Sequence, residues 1–264
     1  MSDAGFILAR QNPHQLSRFC LNNEVRQNIP RNFGRFRNNV VPSETKEVKS
    51  LADEISLRLL KLPTHNTKSI RKLRSEFSRR LVNASPRFVV ALALELIRSA
   101  AVPRFVAYEL VLHHPAAIGS LNRKSLQELG QGISDWGTVD AFACYLAGLA
   151  WREAQVSDGL IERWASSRDR WWRRAALVST VPLNNKARGG QGDTGKTLKI
   201  CKILIEDRDD MVVKALSWAL RELSKRDAKS VRDFLEKNRG ELAARVVREV
   251  TNKLKTGLKN PVVN

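Results

Sequence analysis

At 264 residues the chain is long enough to bury a sizeable core, and its 46 Lys and Arg against 27 Asp and Glu give a formal charge of +19, which points to a polyanionic partner. Its three cysteines, Cys20, Cys144 and Cys201, lie far apart with no CxxC pair, which excludes a disulfide scaffold or a cysteine metal site. No apolar run approaches the roughly 18 residues of a membrane span, and no basic-then-apolar leader opens the chain, so a soluble cytoplasmic protein is expected, nucleoid-associated if bacterial.

Residues 1–45 are rich in Asn, Arg and Gln and poor in large apolar residues, the composition of a disordered basic arm. From Lys46 the pattern changes. Leu51, Ile55 and Leu59, then Ile70, Leu73, Phe77 and Leu81, recur at three and four, the α-helical period. The spacing predicts helices over 46–61, 67–83, 86–100, 103–113, 122–132, 135–151, 157–166, 169–181, 196–206, 209–226, 228–238 and 241–256. Ser85-Pro86 and Val102-Pro103 place proline at a first turn, and Ser134-Asp135 and Asp227 suit N-caps. No segment alternates like a strand. Short-linked helices of similar length predict one all-α domain over 46–258, an α-solenoid of stacked HEAT-like helical hairpins with a concave basic face. A compact helical bundle is the structural rival.

Charge placement bears on function. In 209–226 the stripe Val212, Leu216, Ala219, Leu223 faces a core and leaves Lys214, Trp218 and Arg221 together on another face. In 169–181, Arg170 and Arg174 stand one turn apart with Arg173 between them, while Trp172, Ala176 and Val178 can face inward. Lys68, Arg71 and Arg74 mark the second helix; Arg245, Arg248, Asn252 and Lys255 mark the last. Such arrays suit phosphates, although a single Lys or Arg is more often a solvated surface residue. Of the tryptophans, Trp151 and Trp164 suit a core, whereas Trp136, Trp171 and Trp218 are candidates for a site. Trp136 and Asp140 lie one turn apart, and the helix after Asp140 is almost purely apolar, so this carboxylate is expected near a buried element. Taken alone, an early-helix acid is more simply a response to the helix dipole.

Three segments, "SDWGTVDAF", "RDRWWRRAALVST" and "DDMVVKALSWALREL", together resemble the AlkD family of DNA alkylation repair glycosylases over about residues 67–256. The resemblance implies HEAT-like repeats, active-site tryptophans at Trp136 and Trp218, a catalytic aspartate at Asp140 and an arginine beside it at Arg174. It further implies monofunctional hydrolysis of the N-glycosidic bond of cationic N3- or N7-alkylated purines in double-stranded DNA, as in base excision repair. No base flipping, metal, nucleotide or other cofactor would be needed, and a monomer is expected. Asp140 would lie between indole faces against the developing positive charge of the sugar, and Arg174 would anchor a phosphate. Asp210 and Met211 stand where aromatic residues are expected before the last tryptophan helix, and 187–200 is a Gly-rich insertion. A non-catalytic repeat protein that binds bent or branched DNA is the alternative, and a protein-interaction scaffold a third.

Within the insertion, Gly190–Thr197 ("GQGDTGKT") satisfies a phosphate-loop spacing with Lys196 and Thr197 at its end. A working loop needs a buried parallel strand before it, and a helix precedes this one. The expectation is a flexible inter-helix loop whose amides touch DNA phosphates, not a nucleotide site.

Overall fold

A computed structural model of the chain describes residues 42–99 and 102–261. The described residues are helical, with no strand among them. In order the helices are α1 (Pro42–Leu60), α2 (Thr67–Arg80), α3 (Pro86–Arg98), α4 (Arg104–Leu112), α5 (Pro115–Gly119), α6 (Arg123–Gly130) and α7 (Trp136–Phe142). They continue as α8 (Gly148–Arg152), α9 (Asp158–Ala165), α10 (Arg170–Val178), α11 (Val181–Asn184), α12 (Thr194–Ile203), α13 (Asp210–Leu223), α14 (Ala228–Lys237) and α15 (Ala244–Thr256). None is long and apolar enough to cross a membrane.

The hairpins expected from the periodicity are present: α1 packs on α2, α3 on α4, α6 on α7, α9 on α10, α12 on α13 and α14 on α15. The second members stack in turn, α2 on α4, α4 on α7, α7 on α10, α10 on α13 and α13 on α15. This inner ladder is backed by an outer layer in which α1 meets α3, α3 meets α6, and α9 meets α12. Each rung buries one apolar face between its neighbours, which is how a solenoid builds a continuous core from units that cannot fold alone. Val212, Leu216, Ala219 and Leu223 are buried as their spacing required, and Trp151 and Trp164 are core residues.

Side-chain caps start most of the helices. Asn66, Ser85, Asn122, Asp135 and Asp227 each accept a first-turn backbone N–H, and Pro86 opens α3. Pro103 sits one position earlier than expected, as the N-cap of α4. The first helix starts at Pro42, so residues 42–45 belong to it and not to the arm; the rest of that arm, with Cys20, lies outside the described residues.

The helix expected over 135–151 is interrupted. After α7 the chain makes a π turn over Ala143–Ala147, in which the Gly148 N–H reaches back to the Ala143 carbonyl, and then resumes as α8. Gly148 lies where the α10–α11 connection crosses: a Cβ there would stand 2.5 Å from the Ser179 carbonyl oxygen and 2.8 Å from Pro182 Cγ. The rungs carrying Asp140 and Arg174 are locked by aromatics. Phe142 meets Tyr108, Trp164 and Trp172 at ring separations of 5.8–5.9 Å, and Trp164 meets Trp172 at 4.8 Å.

Gly148→Ala is therefore expected to lower unfolding free energy by about 1–3 kcal/mol through overpacking against backbone. Urea denaturation followed by circular dichroism measures this, and an unchanged midpoint would show that the α8 contact relaxes freely.

Candidate active site

Every residue nominated from the sequence lies on the inner ladder: Lys68, Arg71 and Arg74 on α2, Trp136 and Asp140 on α7, Arg170, Arg173 and Arg174 on α10, Lys214, Trp218 and Arg221 on α13, and Arg245 and Arg248 on α15. Charge alone would not have selected this layer, since Lys199 of α12 and Lys229 of α14 are equally cationic on the outer one.

Asp140 and Arg174 form the centre. The Arg174 Nε donates to Asp140 Oδ1 at 2.9 Å and Nη2 to Oδ2 at 2.8 Å, a bidentate pair whose side chains are 7% and 2% exposed. The remaining guanidinium nitrogen, Nη1, donates to the Met211 carbonyl at 2.6 Å in the first turn of α13. One arginine thus ties α7, α10 and α13 together. Burial pushes the Asp140 carboxyl up, and the adjacent guanidinium opposes that shift by charge and by hydrogen bond. The planar fork meets both oxygens and offsets part of the cost of burial, while the net shift of the carboxyl stays upward.

Asp140 is more enclosed than the sequence led us to expect. Both oxygens are occupied by Arg174, so the carboxylate can act on a ligand through its field, or directly once Arg174 gives up a bond. Trp136 opens α7 one turn before Asp140 and is half-buried. On α13 the half-buried positions Met211, Lys214, Trp218 and Arg221 form one stripe at helical spacing, while the residues between them are buried. Trp218 thus shares a helix face with the carbonyl that Arg174 holds. Trp171 and Trp172 are half-buried against the core, with Arg170 5.0 Å above the Trp171 ring.

The cations are mostly engaged already. Arg71 and Arg74 both donate to Glu109 of α4, at 2.8 and 3.1 Å, with their side chains 19% and 10% exposed. Arg173 pairs with Asp207 at 2.6 Å and Arg170 with Asp209 at 3.4 Å. Asp210 takes Lys214 at 2.6 Å and Arg245 at 2.7 Å, and these cations hold its carboxyl low. Arg221 donates to Ser217 Oγ at 3.2 Å beside buried Glu249. Lys68 and Arg248 are exposed and make no ion pair among the described residues. Glu109 and Glu249 escaped the sequence reading; a lone acid among the apolar residues that follow Arg104 in "RFVAYELVL" was the available signal for the first.

The Gly-rich insertion is pinned, not flexible. The amides that would cradle a phosphate are spent internally: Gly190 N–H on the Asn185 carbonyl, Gly192 N–H on the Leu183 carbonyl, and Asp193 N–H on Asn184 Oδ1. Thr197 is fully buried and accepts from the Asn184 amide at 2.8 Å, while Lys196 lies 3.7 Å from Asp193 and 3.9 Å from Asp158. Thr197 is closed off from solvent, Lys196 is held by two carboxylates, and the amides of Gly190, Gly192 and Asp193 are not free to contact a phosphate.

A family model described as DNA alkylation repair enzyme matches residues 63–254, close to the extent of the resemblance read from the three segments. No curated protein matches the chain.

Two outcomes follow from the geometry. Arg174→Ala leaves the Asp140 charge buried without its partner and is expected to cost about 3–5 kcal/mol of stability in chemical denaturation; a loss below 1 kcal/mol would mean that the carboxylate is hydrated. Magnesium-ATP is expected to leave the thermal midpoint unchanged, and a rise that grows with nucleotide concentration would restore the phosphate-loop reading.

Proposed function

The chain belongs to the DNA alkylation repair enzyme family, and from that premise we propose that it is a monofunctional DNA N-glycosylase acting on cationic N3- or N7-alkylated purines in double-stranded DNA. The observation that carries the reading is the bidentate Asp140–Arg174 pair, with Trp136 on the helix of Asp140 and Trp218 on the helix that takes the third guanidinium nitrogen.

Alkylation at N3 or N7 makes the purine a cation, so its bond to C1′ breaks with the electron pair leaving on the ring and no proton needed by the base. What remains to be stabilised is the oxocarbenium-like sugar. A carboxylate in a low-dielectric site opposes that charge with little reorganisation, and indole faces attract the same cationic character. Water then adds at C1′ and loses its proton to Asp140 or to solvent, giving an abasic site and a neutral free base. Arg174 has a double part in this account. In the free protein it favours the charged form of Asp140; against a lesion it transfers a donor to the phosphate beside the damaged nucleotide, which frees a carboxylate oxygen towards the sugar. Approach from the backbone side needs no base pocket, so the lesion stays stacked, in contrast to glycosylases that extrude their base.

A second reading, a non-catalytic repeat protein that binds bent or branched DNA, is favoured by the near-complete enclosure of Asp140. The two separate in one assay. Incubation with methylated duplex DNA is expected to release 3-methyladenine or 7-methylguanine, and Asp140→Asn, shown to be folded by circular dichroism, is expected to lose about 10²–10³-fold in rate. Tight binding of branched DNA with no base released would support the second reading, and wild-type rates in Asp140→Asn would remove the proposed chemistry.

A further inference from the structure

The far end of the inner ladder carries a charge cluster of which the sequence nominated only Arg221. Ser217 Oγ donates to Glu249 Oε2 at 2.6 Å and so fixes the register of α13 against α15. One turn further along these helices stand Arg221 and Lys253, and Lys225 follows Arg221 by another turn, on the stripe that bears Trp218. The chain then folds back after α15. Gly257 caps that helix at φ 74°, the Lys259 carbonyl accepts from Asn252 Nδ2 at 3.2 Å, and Lys259 Nζ reaches Glu249 Oε1 at 3.3 Å.

Among the described residues, four cations here share two carboxylates, and both carboxylates are 5% exposed and already engaged. Glu222 accepts from Asn185 at 2.9 Å and pairs with Lys225 at 2.7 Å. Glu249 is taken by Ser217 and Lys259, which leaves Arg221 at 3.9 Å from it. The Arg221 Nε donates to Ser217 Oγ at 3.2 Å, and its two Nη groups make no hydrogen bond among the described residues. Lys253 makes no ion pair among them either, and its Nζ donates to the Gly257 carbonyl. A cation placed only to offset the negative end of a helix would hold its charge readily. Lys253 is instead lowered from the ordinary lysine value, by burial and then by Lys225 and Arg221, against the pull of Glu222. The cluster lacks an anion.

We propose that Arg221, Lys225 and Lys253, with Lys259 drawing off Glu249, form a second phosphate site at the α13–α15 end of the inner ladder, which grips the backbone of the substrate DNA away from the lesion. The inference rests on the DNA-repair reading above and adds to it a contact from the segment after α15, outside the three motifs. From Met211, whose carbonyl holds Arg174, to Arg221 the helix runs about 15 Å, so this phosphate is not the one assigned to Arg174. The Ser217 bond holds the Arg221 guanidinium before DNA arrives, so less rotamer freedom is lost on binding.

The test is fluorescence anisotropy with a labelled undamaged duplex at stepped salt concentrations, comparing the intact protein with Lys253→Gln, Lys225→Gln and Lys229→Gln. Lys229 lies on the outer layer with its side chain 83% exposed, and reports what the loss of any one charge does. Unchanged thermal midpoints show that the variants are folded; if Lys253→Gln loosens the end of α15, Lys225→Gln carries the test. The two ladder variants are each expected to bind roughly tenfold more weakly and to lower the slope of log K against log salt by about one, while Lys229→Gln keeps the slope. An unchanged slope in the folded ladder variants, or an equal fall in Lys229→Gln, would overturn the site and leave the glycosylase reading, scored by base release, untouched. Failure of the intact protein to bind duplex DNA would count against both.

Discussion

Taking a carboxylate and a guanidinium out of water together costs several kcal/mol for each ion, and their mutual attraction offsets this only when every donor and acceptor is matched. Asp140 and Arg174 meet that condition across the α7–α10 seam, and the third donor of Arg174 goes to a carbonyl on α13. Apolar residues of similar volume would hold these helices together at least as well, so stability is a poor explanation for a charged pair at this depth. What the pair does that leucines could not is fix a carboxylate, matched by one guanidinium, at a set point between three rungs. The aromatic contacts among Tyr108, Phe142, Trp164 and Trp172 give it a rigid frame.

The same economy of charge runs along the ladder. α7, α10 and α13 each begin with an aspartate, Asp135, Asp169 and Asp209, whose carboxylate accepts a first-turn backbone N–H. A negative charge thus already sits at each of these helix starts, which makes them poor places for a phosphate. Most of the basic side chains nearby hold carboxylates: Arg170 on Asp209, Arg173 on Asp207, and Lys214 and Arg245 on Asp210. On the proposed reading, binding DNA is an exchange of ion pairs in which phosphates replace aspartates. Exchange of this kind contributes less affinity than bare cations would and makes register more selective, which suits an enzyme that must search mostly undamaged duplex.

Much of this order was legible in the sequence because helices announce themselves by period and by caps. Recurrence at three and four located the hairpins, and Ser85, Asp135 and Asp227 marked their starts. What escaped had no local signature. The π turn falls inside "FACYLAGLAW", an all-apolar run with no polar face against which a shift of register could be seen. α5 and α11 are too short to show a period. The phosphate-loop spacing in 190–197 says nothing of the element before it or of how the segment is held: Arg152 and Arg226 pin it from elsewhere in the chain. At the site, residue types and helix faces were readable. That Arg174 would cover both oxygens of Asp140 was not, because it depends on how closely two rungs approach.

The most direct measurement is a crystal structure of the protein with a duplex in which a cationic pyrrolidine replaces one sugar as a mimic of the departing oxocarbenium. The account predicts the DNA along the inner ladder, the ring nitrogen in ion-pair contact with Asp140, and a neighbouring phosphate on Arg174 in place of one carboxylate oxygen. A duplex bound to the outer layer, or a mimic held elsewhere while the Asp140–Arg174 pair stays closed, would contradict it.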